Sequence, residues 1–187
     1  WRFDLHFYTN TTMDTLDYSG GTWNAGSKLV VACNRNVQRD LSSDFSVFNE
    51  VNTLIKKIKL VQPGILALEM ESFVDSRSAK TEIDQLISQI ENLDLKKFPL
   101  LVIVDDAQFT TTDLNNFLWV TFTRSNPSHD TYGINSFTEY KHWGCRGSLI
   151  IDARIKPHHA PTLECDPQIS SKVDALFNTV SELKRFR

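Results

Sequence analysis

Leu100-Leu-Val-Ile-Val-Asp-Asp106 and Leu149-Ile-Ile-Asp152 decide the reading of this chain. Each is a short, unbroken apolar run that ends in carboxylates. Runs of this length without alternation are the mark of strands covered on both faces, which is the condition of a parallel sheet. Helical periodicity fills the space between such runs. Ile83, Leu86, Ile87, Ile90 and Leu93 form one stripe that stops before Pro99, and Asp113 opens a helix carrying Leu114, Phe117, Leu118 and Thr121. Asp166-Pro167 places an N-cap before a proline at the first helical position, and Ile169, Val173, Leu176, Val180 and Leu183 are expected to be its inward stripe.

Upstream the pattern continues. Trp1, Phe3, Leu5 and Phe7 alternate with polar residues, as a half-buried strand does. Leu29 to Cys33 reads as a short buried strand, and Asp44 as the cap of a helix whose Val47, Phe48, Val51, Leu54, Ile55 and Ile58 share a face. Pro63-Gly64 breaks that helix and Ile65 to Leu68 resume a strand. Helices alternating with apolar strands require crossover connections, so the expected fold is a layered α/β domain. Its sheet is mixed or parallel, with strands near 28–33, 64–69, 100–105 and 147–152 and helices on both faces.

Composition limits the function classes. The chain has 187 residues, 41% of them hydrophobic, enough for one core and a single domain over 1–187. A net charge of −3 without a long basic run argues against nucleic acid as a partner. No segment reaches the ~18 uninterrupted apolar residues of a membrane span. Cys33, Cys145 and Cys165 are an odd set without CxxC spacing, which suits reduced thiols and a cytoplasmic setting. No GxSxG, GxGxxG or Walker loop occurs. The chain opens on Trp1 inside an alternating segment, so it is expected to be a piece of a longer protein. Residues 1–31 loosely echo 119–151, which raises the further expectation that 1–25 is the tail of a preceding unit.

Polar and ionisable residues crowd the segment from Asn126 to His159, which reads as a long functional or solvated loop. Arg146 lies between Gly144 and Gly147. Its guanidinium suits a carboxylate or phosphate, and the glycines would let backbone approach a ligand closely. Lys141 and His142 are second candidates, His142 being able to shuttle a proton near neutrality. His158-His159 between prolines is expected to be extended, pointing the two rings apart. Trp119, Phe137 and Trp143 stand in or beside polar sequence and are expected to be buried against another subunit or domain.

One resemblance gathers several of these residues. Val102-Ile-Val-Asp-Asp106, Asp113, Leu118-Trp119, Thr123-Arg-Ser-Asn-Pro127 with Asp130, Gly144-Cys-Arg-Gly-Ser148 and Ile151-Asp-Ala153 together resemble the C-terminal part of UbiD-type decarboxylases. An alanine, Ala107, follows the acidic pair where the family commonly has a third acid. The resemblance implies a parent carboxy-lyase acting reversibly on aromatic or unsaturated carboxylic acids, such as the polyprenyl-hydroxybenzoates of ubiquinone biosynthesis. It also implies that prenylated FMN, a divalent metal and the acid/base carboxylates belong to an N-terminal flavin-binding domain. This fragment would then hold no cofactor and no catalytic residue. Inactive alone, it would wall the active-site cleft with its 133–148 loop and join subunits into a homo-oligomer. Two other readings need no such parent: a receiver-like switch with Asp105, Asp106 and Asp152 on Mg²⁺, or a pure oligomerisation module.

Overall fold

The computed structural model describes residues 4–12, 20–32, 36–49, 54–160 and 165–185. Expectations that rest on Trp1, Phe3, Cys33 and Val51 lie outside them. In chain order the elements are β1 (Leu5–Thr11), β2 (Gly26–Val31), β3 (Lys57–Gln62), β4 (Ile65–Glu69), α1 (Ser76–Ile90), β5 (Leu100–Val104), α2 (Ala107–Thr110), α3 (Leu114–Thr123), α4 (Pro127–Asp130), β6 (Thr131–Gly133), β7 (Ser136–Glu139), β8 (His142–Cys145), β9 (Leu149–Asp152), α5 (Pro167–Thr179) and α6 (Ser181–Lys184).

The main sheet has the order β3-β4-β5-β9-β6. Its three central strands are parallel and its two edge strands antiparallel, so the sheet is mixed. Alternation within the apolar runs sorts side chains between two cores. Leu66, Leu68, Leu101, Ile103 and Ile150 face Ile83, Leu86 and Ile90 of α1. Ala67, Val102, Val104 and Ala153 face Ala107 of α2 and Phe117 and Val120 of α3. Helices therefore cover both faces, as the alternation of elements requires. Each of four helices starts where a carboxylate replaces missing backbone partners: Asp75 accepts from Arg77 N and Ser78 N, Asp106 from Phe109 N, Asp113 from Asn116 N and Asp166 from Gln168 N. Among the described residues, no helix is long and apolar enough to cross a membrane.

Four expectations are corrected. Residues 28–31 do not join the main sheet. They pair with β1 as a separate antiparallel ribbon, and Val30 and Val31 are exposed. A short apolar run cannot by itself distinguish a central strand from one strand of a surface ribbon. The helix expected after Asp44 is a single 3-10 turn, Ser46–Phe48. Ile58 belongs instead to β3, which forms a hairpin with β4. Gly64 explains the hairpin: with φ +83 it takes the left-handed conformation of the turn, and a Cβ there would stand 2.7 Å from Leu41 Cδ2. Next, 126–159 is not a loop but α4, β6, the β7–β8 hairpin and β9. Last, α5 forms with its expected cap, yet Ile169, Val173 and Leu176 are exposed and none of its residues is buried. An amphipathic pattern specifies a sided helix, not whether this chain covers that side.

The echo between 1–31 and 119–151 is not matched in secondary structure. β1 is a strand, whereas the residues that follow Trp119 complete α3 and form α4.

Candidate functional site

Ligands of open α/β sheets gather beyond the carboxyl ends of parallel strands. Here β4, β5 and β9 deliver Glu69, Asp105, Asp106 and Asp152 to that edge, and the chain leaving β9 adds Arg154 and Lys156. Arg154 and Asp152 share one side of the extended backbone. The guanidinium takes the carboxylate with two parallel bonds, Nε to Oδ1 at 3.0 Å and NH2 to Oδ2 at 2.8 Å. NH1 donates to Glu82 Oε2 and to Glu71 O, each at 2.8 Å, and the ring of Phe73 lies 5.7 Å from the guanidinium carbon. Both Arg154 and Asp152 are buried, and the carboxylates raise the arginine's affinity for its proton further, against the opposing pull of burial.

Lys156 forms a second buried centre. Its ammonium donates to Arg124 O at 2.9 Å, Asp152 O at 3.0 Å and Arg154 O at 3.2 Å, and lies 3.3 Å from Asp130 Oδ2. Asp130 Oδ2 also accepts from Asn126 N at 2.6 Å. Burial pushes the Asp130 carboxyl above the ordinary range, and Lys156 only partly opposes it. Burial raises Asp105 as well, although that carboxylate accepts from Ile155 N at 2.7 Å and stands 3.7 Å from Arg124. His159 accepts from Lys156 N through Nδ1, and burial together with cationic neighbours pulls the ring down to about 4. The His158 and His159 rings are in edge-to-face contact at 4.7 Å, because Pro157 to His159 is a turn closed by His159 N on Lys156 O. The expected extended segment is not present.

The three carboxylates of the switch reading are each engaged otherwise. Asp105 holds Ile155 N, Asp106 caps α2 and Asp152 is saturated by Arg154. Among the described residues no group of three or more His, Cys, Asp or Glu side chains is placed to hold a metal ion.

The other sequence candidates lie elsewhere and apart from one another. In the β7–β8 hairpin, Phe137 pairs with Gly144 and Glu139 with His142. Tyr140 and Lys141 make its two-residue turn, with φ of 51° and 65°. Two left-handed residues match the twist of a hairpin, but Asn-Gly is the usual choice. Lys141 and His142 border a cleft of about 310 Å³ with Leu5 to Tyr8 and Trp143, whose ring meets Phe7 edge to face at 6.0 Å. Arg146 is largely exposed. It lies 3.7 Å from Glu139, sits over the Phe137 ring at 5.4 Å and lines a different cavity, about 370 Å³, with Arg39, Lys96 and Asn135. Gly147 is explained by packing: a Cβ there would stand 2.8 Å from Ile134 Cβ. Gly144 is buried within the hairpin.

Sequence reasoning missed the roles of Arg39, Glu82 and Lys156. Nothing local marks them, since Glu82 reads as a polar helix position and Lys156 as one charge among many. The one available signal is density: acids and bases alternating just beyond an apolar strand, as Asp152, Arg154 and Lys156 do.

A 4-hydroxybenzoate decarboxylase component from Chlamydia pneumoniae is 30% identical to this chain over 173 residues, covering 91% of the chain and 27% of that protein. An uncharacterised protein of Chlamydia caviae is 29% identical, covering 94% of the chain and 28% of its own length. The chain thus spans about a quarter of the length of these relatives. Among solved structures, an evolved dimeric form of the UbiD-class enzyme HmfF from Pelotomaculum thermopropionicum in complex with prFMN aligns with 67% of this chain and 26% of its own, at 19% identity and a TM-score of 0.39. No family model matches.

Proposed function

We propose that this chain is the C-terminal portion of a UbiD-type decarboxylase, working on aromatic or unsaturated carboxylic acids only in company with a flavin-binding domain. The observation that carries the reading is a coincidence of two kinds of evidence. The motif series from Val102 to Ala153 resembles that family, and the similarity to the Chlamydia pneumoniae decarboxylase component runs through 91% of the chain. Prenylated FMN would supply the electron sink for breaking the carboxylate's carbon–carbon bond. The described residues offer no ligand set for its divalent metal, since the strand-end carboxylates are consumed by arginine, lysine and backbone N–H groups. The chain's share is therefore to position, to bind anionic groups and to hold subunits together.

Arg146 is the residue for the anionic contact. Its partner Glu139 is 3.7 Å away rather than in tight contact, and Arg39 lines the same cavity, so a carboxylate or phosphate could replace Glu139 there. The arginine would act in binding rather than proton transfer, because it stays protonated at any working pH. The assembly role rests on apolar surface: on α2 and α3, Phe109, Leu114, Leu118, Trp119 and Phe122 are all exposed, more than a lone domain normally leaves in one region. In the full-length enzyme Arg146→Ala should raise KM or weaken flavin retention with the melting temperature unchanged. Kinetics and flavin content identical to the parent would remove Arg146 from the account.

A further inference from the structure

The Gly21 to Ala25 segment and the turn at His158 border a cavity of about 470 Å³ beside the buried pair of Lys156 and Asp130. What it can bind follows from counting its unused hydrogen-bonding capacity. Lys156 spends its donors on three carbonyls and Asp130, and Arg154 is turned to Asp152, Glu82 and Glu71 O, so neither buried cation is left to hold an anion. A cationic ligand would have to share the Asp130 carboxylate with Lys156, at a site where like charges are poorly screened. Asp130 is buried, and its Oδ2 accepts from Asn126 N and faces Lys156. Its Oδ1 has no partner among the described residues, nor do the hydroxyls of Thr22 and Ser76 that border the same space. Phe73 supplies an apolar wall.

We propose that this cavity is a binding site for a neutral, polyhydroxylated small molecule of about monosaccharide size, with one hydroxyl donating to Asp130 Oδ1, others meeting Thr22 and Ser76, and its carbon face against Phe73. The volume lies within the range of small-molecule pockets. A carboxyl whose ionised form is poorly solvated gains from a donor that brings no charge, and the upward displacement of Asp130 is in keeping with that. This site lies apart from the Arg146 cavity and does not depend on the decarboxylase reading.

The test is a titration of the 187-residue chain with myo-inositol, followed by the imidazole NMR signals of His129 and His158 at the cavity's border. Inorganic phosphate and tetramethylammonium serve as charged comparisons. Saturable shifts with a millimolar Kd, produced by inositol and by neither ion, are expected. Ser76→Leu, which fills the cavity and leaves the charge pair intact, should abolish them, and Asp130→Asn should weaken binding roughly tenfold or more. Should Asp130→Asn fail to fold, Ser76→Leu decides alone. Saturation by phosphate or tetramethylammonium, unchanged binding by Ser76→Leu, or no saturable shift with inositol in the parent chain would each overturn the proposal.

Discussion

Arg154 is the largest fully buried side chain among the described residues, and its energetics are those of a charge that must stay paired. Replacing it by Ala would leave Asp152 buried without its counter-ion, which costs about 3–5 kcal/mol. Chemical denaturation of Arg154→Ala should show that loss, whereas a change below about 1 kcal/mol would mean that water reaches the pair. Asp152→Asn should restore part of it in the double variant, because an amide is cheaper to leave there than a carboxylate. His159 sets a pH dependence of opposite origin. Its folded pKa, about 4, lies below the ordinary histidine value, so the unfolded chain binds more protons between the two. Its contribution is complete above the unfolded pKa near 6.5 and is lost as pH falls toward 4. Asp105 and Asp130, displaced upward, act the other way: their contribution is present below the unfolded carboxylate range and lost as pH rises through their folded values. Melting temperature measured from about pH 7 to pH 4.5 should therefore fall less in His159→Gln than in the parent, and parallel curves would contradict the assignment.

At the scale of elements, the β7–β8 hairpin is held less well than its sequence could allow. Tyr140 and Lys141 occupy left-handed conformations at a cost of roughly 1 kcal/mol each, and Tyr140 is 85% exposed. Tyr140→Asn with Lys141→Gly should raise the melting temperature by several degrees. A decrease would show that the tip is stabilised by contacts of those side chains. Gly147→Ala should do the reverse, since its Cβ would strike Ile134, and any loss of function in that variant should come with lost stability. The legibility of each element follows from how much of it is local. β4, β5, β9, α1 and α3 are readable because apolar period and carboxylate caps lie within or beside the element itself. The β3–β4 hairpin reads as the end of a helix because Lys57 to Gln62 mixes both periods, and only its pairing with β4 selects the strand. The Asn126 to His159 segment reads as a loop because charge usually signals solvent. Asp130, Asp152, Arg154 and Lys156 are interior because they neutralise one another, a fact of three-dimensional pairing that composition cannot carry.

For the whole molecule, the sheet gathers its charges at one edge, while Arg146, Lys141 and His142, proposed from the sequence, sit in two other cavities. That distribution suits a wall and an assembly surface better than a complete active centre. The exposed side chains on α2 and α3 point to what is still to be covered: in the full-length assembly Trp119 should be shielded, and its fluorescence should shift to the blue relative to the 187-residue chain. The central claim, that this chain is part of a flavin-dependent decarboxylase and works only with the rest of it, is tested most directly by carbon dioxide release from 4-hydroxybenzoate-type and unsaturated acids. Both the full-length polypeptide and this chain alone are supplied with prenylated FMN and a divalent metal. Turnover by the full-length protein and none by the isolated chain is the predicted result; turnover by the isolated chain, or none by a folded, flavin-loaded full-length protein, would contradict it.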